Sequence, residues 1–331
     1  MKIFHKITLL AGLGFILSGC TTSPTFLRPA SSIAQHEANL YNNLLIMALV
    51  VFVLVEAVLV WILIRDRKKR GDDDRPPTQI YANTKLEITW TVIPVLLTSA
   101  LFAMTFQTMK NVAVPAASAK DINVHVIGHQ WWWEFDYPDL GFKTANELHI
   151  PVGATVQVTL DSMDVIHSFW VPQLSGKTDA VPGQTTHMWL TSNQTGVFIG
   201  QCAEFCGTEH AMMRIEVVVD SQDDFNAWVS NQQKPAAQPQ TADELAGYKD
   251  FSGVCASCHS LNPAEPENKI GPNLAHLFSR STFAGATYPL TEENLRNWLH
   301  DTQSMKPGND MKLTLSPDEI NHIYAYLKLL K

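Results

Sequence analysis

The sequence predicts a multi-domain, membrane-anchored chain: a two-helix transmembrane hairpin, then an antiparallel β-sandwich or barrel, then a short all-α domain. Three observations carry this. Segments 44–64 and 88–106 are apolar over nearly the ~20 residues that cross the hydrocarbon of a bilayer. Between Ile122 and Val219 short stretches alternate with period two, the mark of half-buried strands. Helical periodicity then returns in Glu292–His300 and Pro317–Leu330. At 331 residues the chain has room for about two to three domains.

Taken in order, residues 1–19 read as an export signal. Lys2 and Lys6 precede an apolar run, Ile7 to Leu17, that is too short to span a bilayer. Its ending, Leu17-Ser18-Gly19-Cys20, resembles a bacterial lipoprotein signal, which implies lipidation at Cys20; the alternative is an ordinary signal peptide cut nearby. Residues 20–39 form a Ser/Thr/Pro-containing tether. In the hairpin, 40–110, the first span carries one acid, Glu56, and an acid at membrane depth is functional by default. The second span has no charge, and Pro94 near its start is tolerable. Arg65, Arg67, Lys68, Lys69 and Arg70 put the intervening loop in the cytoplasm, which leaves everything after Lys110 outside. The β domain, 115–222, has strands around Ile122–Ile127, Thr155–Leu160, His187–Leu190 and Arg214–Val219, parted by turns such as Pro151-Val152-Gly153. A linker, 223–242, is richest in Gln, Pro and Ala from Asn231 to Thr241 and is expected to be flexible. In the last domain, 243–331, Ser316, Pro317 and Glu319 form a helix-start signature.

The formal charge of −8 is concentrated. From Pro115 through Asp220 there are twelve acids against four bases. Such a block does not suit nucleic acid, which asks for a basic face; it suits electrostatic docking of a basic protein. The five cysteines (Cys20, Cys202, Cys206, Cys255 and Cys258) each find a separate chemical role, so none needs a disulfide.

Cys255-Ala256-Ser257-Cys258-His259 is the C-x-x-C-H pattern of covalent haem attachment. Two thiols three residues apart add to the two vinyl groups of one haem, and the adjacent His faces the iron. A zinc half-site is the competing reading, but no second Cys or His pair follows at zinc spacing. The sixth ligand is expected to be a soft donor on a later loop, and Met305 and Met311 both qualify. This stretch resembles class I cytochromes c. The resemblance places the distal ligand at Met311, at the end of Lys306-Pro307-Gly308-Asn309-Asp310-Met311, although Lys312 stands where a Pro would be typical. It also implies that the Pro272 carbonyl, in Gly271-Pro272-Asn273-Leu274, accepts the other ring N–H of His259.

The twelve residues from Cys202 to Met213 hold two thiols, the imidazole of His210 and a thioether, a soft N/S set suited to copper rather than Ca²⁺ or Mg²⁺. A mononuclear blue-copper site uses one Cys; here there are two. The segment resembles the dinuclear CuA centre of cytochrome c oxidase subunit II, as do Asp164–Pro172 and Lys177–Gly183. That resemblance implies a cupredoxin-like fold, Cys202 and Cys206 as bridging thiolates, His210 and His167 as imidazoles, and the Glu204 carbonyl and Met213 as weak ligands. It further implies that the Glu204 side chain reaches a Mg²⁺ shared with subunit I, that Trp131 in the Trp131-Trp132-Trp133 run receives electrons, and that Glu87 stands at a proton-channel mouth. The plain alternatives are core packing for the aromatic run and a solvated interfacial Glu87.

The function implied is electron input to a haem–copper oxygen reductase in a bacterial inner membrane. The partners implied are oxidase subunits I and III, with a cytochrome c or a quinol–cytochrome c reductase as donor. The alternatives are the same module serving a nitric oxide or nitrous oxide reductase and, in another class, a copper-delivery protein. Delivery sites favour few exchangeable ligands, and delivery leaves the haem motif unexplained.

Overall fold

The computed structural model describes residues 24–67, 79, 81–264 and 270–331. The export-signal segment, Cys20 and Lys68–Arg70 lie outside the described residues. Two long helices come first, α1 (Ser32–Arg65) and α2 (Thr84–Val112), packed against each other with their apolar side chains largely exposed. Both extend past the apolar cores read from the sequence. The expected tether is corrected at its end, because residues 32–39 are already helical. Ser31 caps α1 by accepting from the Ala34 N–H at 3.0 Å, and its hydroxyl donates to the Leu174 carbonyl at 2.6 Å. Ala30 is hydrogen-bonded on both sides, to Gln173 and to Asn193, while Ile33, Ala34 and Ala38 are buried. Docking to a distant part of the chain starts this helix, which local composition could not announce.

The β domain stacks two five-stranded sheets. One runs β3 (Phe142–Ala145), β2 (Trp132–Tyr137), β1 (Ile122–His129), β5 (Val156–Ser162), β8 (Thr186–Leu190). The other runs β4 (Glu147–Pro151), β10 (Arg214–Asp220), β9 (Gly196–Cys202), β6 (His167–Trp170), β7 (Thr178–Ala180). The sandwich is mixed rather than purely antiparallel, since β1 pairs β5 and β4 pairs β10 in parallel. Alternation along a strand reports which face is buried, not the direction of its neighbour. Trp133, Phe135, Phe169, Leu148, Ile150 and Leu160 fill the space between the sheets, each fully buried.

The expected linker is also corrected. Gln222–Gln232 forms α3, capped by Ser221 with Asp223 and Asp224 in its first turn. Trp228 packs edge-on to Tyr137 and Phe142 and stacks on the His149 ring. The C-terminal domain consists of α4 (Ala242–Val254), α5 (Glu292–His300), α6 (Thr302–Met305) and α7 (Pro317–Leu327). A two-residue ribbon, β11 (Thr282–Phe283) with β12 (Tyr288–Pro289), departs from the all-α expectation. Helix α4 crosses α7 at Gly247, where a Cβ would lie 1.9 Å from the His322 carbonyl oxygen, so no larger residue fits. The capping box at Ser316 and Glu319 forms as the sequence signature implies.

Candidate functional site: two centres and the seam between them

Three pieces of the β domain converge at one end of the sandwich. His167 opens β6, Cys202 closes β9, and a short loop leads through Cys206 and a 3₁₀ turn at His210–Met212 to Met213, just ahead of β10. The pairing of Phe169 with Cys202 in adjacent strands brings the distant His167 to the loop. Cys202 Sγ and Cys206 Sγ are 3.7 Å apart. His167 Nδ1 lies 3.9 Å from Cys202 Sγ, His210 Nδ1 lies 3.5 Å from Cys206 Sγ, and Met213 Sδ lies 3.8 Å from Cys206 Sγ. The Glu204 carbonyl oxygen is 3.2 Å from Cys202 Sγ. All six residues that the sequence singled out for copper therefore meet. Both thiols are buried and free, far beyond the ~2.05 Å of a disulfide.

The electrostatics fit a cation. The Cys206 thiol beside Cys202 holds Cys202 well below the usual thiol range, and the same contact pushes Cys206 well above it. One proton leaves readily and the second only when a cation replaces it, which is how metal binding releases protons. Burial alone would lower the His167 pKa, but the Asp164 carboxylate, 2.7 Å from its Nε2, leaves it raised. That contact orients the ring so that Nδ1 faces the sulfurs. Gly128 makes room for it, since a Cβ there would stand 2.7 Å from His167 Cδ2. Asp164 is a positioning residue to which sequence reading assigned no role.

The second centre is an apolar cavity in the C-terminal domain. Cys255, Cys258 and His259 line it, together with Leu274, Trp298 and Met311. His259 Nδ1 donates to the Pro272 carbonyl at 2.8 Å, and burial lowers the ring's pKa, so the imidazole is neutral and available as a ligand. Gly271 allows this approach; its Cβ would sit 2.5 Å from His259 Cε1. Met305 packs into the domain core and is not among the lining residues. Arg280 also lines the cavity. Its Nε is buried without a partner among the described residues, and burial lowers its pKa to about 10. An apolar slot edged by two thiols, one imidazole, one thioether and an unpaired guanidinium donor fits a haem with its carboxylates.

The cavity is not closed by its own domain. Gln130, Trp131, Trp132, Asn146 and Glu209 of the β domain complete its wall. The Trp131 indole Nε1 donates to the Cys206 carbonyl at 3.0 Å, so one half-buried side chain touches both centres. Across the seam, Lys306 Nζ donates to the Trp131 carbonyl at 2.9 Å and pairs with Glu209 at 3.2 Å. Glu147 accepts from the backbone N–H groups of Ser281 and Thr282, each at 2.7 Å. The Arg214 N–H donates to the Gly285 carbonyl at 2.9 Å, where a Cβ on Gly285 would meet the Met212 carbonyl oxygen at 2.7 Å. Nothing in the sequence announced these partners. Away from the seam, the Glu204 carboxylate lies 3.7 Å from Lys177, and Glu87 accepts from the Asn83 N–H at the start of α2, a helix-capping contact.

Comparison with known proteins agrees with these three parts. The family described as "Cytochrome C oxidase subunit II, transmembrane domain" matches residues 21–108, its periplasmic-domain counterpart matches 141–221, and "Cytochrome c" matches 245–331. The chain is similar to cytochrome c oxidase subunit 2 of Alkalihalophilus pseudofirmus, at 36% identity over 100% of this chain and 99% of that one. It is similar to the Bacillus subtilis protein of the same description, at 34% over 100% and 99%. Among solved structures, the periplasmic domain of subunit II from Bradyrhizobium japonicum is 34% identical, covers 36% of this chain and 95% of its own, and has a TM-score of 0.34.

Proposed function

This chain belongs to the cytochrome c oxidase subunit II family, and from that premise we propose that it is the electron-input subunit of a respiratory haem–copper oxidase, routing electrons from its own haem domain through Trp131 to its copper site and on to subunit I. The two prosthetic groups, when bound, supply reversible one-electron chemistry. Cys202, Cys206, His167, His210, Met213 and the Glu204 carbonyl would hold a copper pair; Cys255 and Cys258 would anchor a haem c, and His259 and Met311 would offer the iron an imidazole and a thioether. Enclosing these groups in a dry, fixed shell limits the reorganisation that each electron transfer requires.

The observation that carries the route is Trp131. Its indole spans the gap between the haem cavity and the Cys206 peptide, giving a short bonded path where the alternative is a through-space jump. Trp131→Ala is expected to slow oxidation of the haem by the copper site about tenfold or more, since small misplacements in a pre-organised site are costly. Time-resolved absorbance would measure it, with the copper spectrum as the control. An unchanged rate would return Trp131 to a packing role.

The same reading extends to residues outside the seam. Cys20 carries a lipid, the Glu204 carboxylate contributes to a Mg²⁺ site at the subunit I boundary, and Glu87 lies at a proton-uptake mouth. Subunit III and a cytochrome c or quinol–cytochrome c reductase complete the partners in a bacterial inner membrane.

A further inference from the structure

We propose that Lys306 is a latch that holds the haem domain in the one orientation in which its cavity meets Trp131. The proposal deepens the routing read above and rests on it. Lys306 is 4% exposed, yet the Trp131 carbonyl that accepts from its ammonium and the Glu209 carboxylate that pairs with it at 3.2 Å both lie in the copper domain. Glu209 is equally enclosed, with its side chain 1% exposed. A buried ammonium and a buried carboxylate are each strongly unfavourable alone and become tolerable only when paired with good geometry. Each domain therefore hides a charge that only the other can match, which selects one docked pose against other contacts of similar area.

The position of the latch gives it leverage at both centres. Lys306 stands five residues before Met311 on the same loop, so the fixed ammonium also fixes the loop that supplies the cavity's thioether. Glu209 immediately precedes His210, and Trp131 is the residue whose indole bonds Cys206. Gly308 adjoins the contact, where a Cβ would approach Thr208 Cγ2 at 2.9 Å, so the backbones are close-packed around the pair. Lys306 stands at the wall of the haem cavity, and its ammonium is bonded to the Trp131 carbonyl and paired with Glu209 rather than with a metal-binding atom. It is a positioning residue.

The test uses the full-length chain and two readouts. Hydrogen exchange follows the amides that bridge the seam, Arg214, Ser281 and Thr282, against Val217 inside the β-sheet as a reference. In Lys306→Met the seam amides are expected to exchange about tenfold faster or more while Val217 stays protected. The same variant is expected to slow haem-to-copper transfer about tenfold, with the copper spectrum unchanged. Lys306→Arg, which keeps the charge, should restore most of both signals. Glu209→Gln provides an independent removal of the pair should Lys306→Met not accumulate, and is expected to act in the same direction. Seam amides as protected as in the parent chain in either charge-removing variant would overturn the latch. So would loss of the copper spectrum in Lys306→Met, which would make the residue part of that centre's scaffold. If the parent chain itself transfers no electron from haem to copper, the routing fails, while the exchange result still decides the latch.

Discussion

Met305 and Met311 lie on one short stretch of chain, and only Met311 lines the cavity. Met311→Leu is expected to lose the sulfur–iron charge-transfer band and to lower the haem potential, because a thioether ligand raises it. Met305→Leu should leave both in place; visible spectroscopy with a redox titration would detect the reverse assignment. Cys202→Ser or Cys206→Ser should abolish the dinuclear copper spectrum, since a hydroxyl cannot replace a soft thiolate donor; a variant that kept the mixed-valence signal would contradict the ligand set. These residues were legible in the sequence for a simple reason: most of them are neighbours in it. Cys202, Cys206, His210 and Met213 fall in one window, as do Cys255, Cys258 and His259. His167 is far away and was found only through resemblance. Asp164 and Lys306 act through atoms that folding alone brings near, and no spacing rule reaches them.

Where β4 and β10 pair in parallel, Glu147 and Glu216 stand opposite each other, buried and facing the Ser281-Thr282 backbone. Their roles differ. Glu147 accepts two backbone N–H groups, whereas Glu216 receives only hydroxyls and carries a pKa raised by burial and then by the charge of Glu147. A carboxyl whose folded pKa is raised favours the fold most in acid, and that contribution is lost as pH rises through the folded pKa. Glu216→Gln should therefore leave docking unchanged or tighter at pH 7, and Glu147→Gln should loosen it by leaving two buried N–H groups poorly served. Thermal unfolding of the two variants side by side checks the order; Glu216→Gln as the more damaging change would refute it. At this scale the strands and the terminal helix were legible from periodicity and capping. Helix α3 was not, although Phe225, Trp228 and Val229 mark a helical face, because the Gln-rich composition read as linker. The start of α1 was hidden for a different reason: beside the Ser31 cap, the Ala30-Ser31 entry to the helix is held by Gln173, Leu174 and Asn193 of the distant β domain.

Across the whole molecule the haem domain sits against the copper domain at Trp131, although the Gln/Pro/Ala linker was expected to be flexible. The charges at the seam are enclosed, and salt screens enclosed pairs far less than exposed ones. Haem-to-copper transfer should change by less than about twofold between low and high ionic strength, whereas a domain captured from solution by acidic steering would slow markedly. Stopped-flow or flash kinetics at several salt concentrations separates the two. Domain order was legible because each module carries its own signature; domain contact was not, because it depends on single atoms from remote parts of the chain. The N-terminal end of α1 has one more consequence. At ~1.5 Å per residue its 34 residues run ~51 Å, against ~30 Å of hydrocarbon, so about 20 Å is left to stand clear of the bilayer. Its first turn is gripped by the β domain, while the far end of α2 meets that domain through the Trp189 indole bonded to the Val112 carbonyl at 3.0 Å. The domain thus rests on two struts, joined to the hairpin both where the chain enters α1 and where it leaves α2.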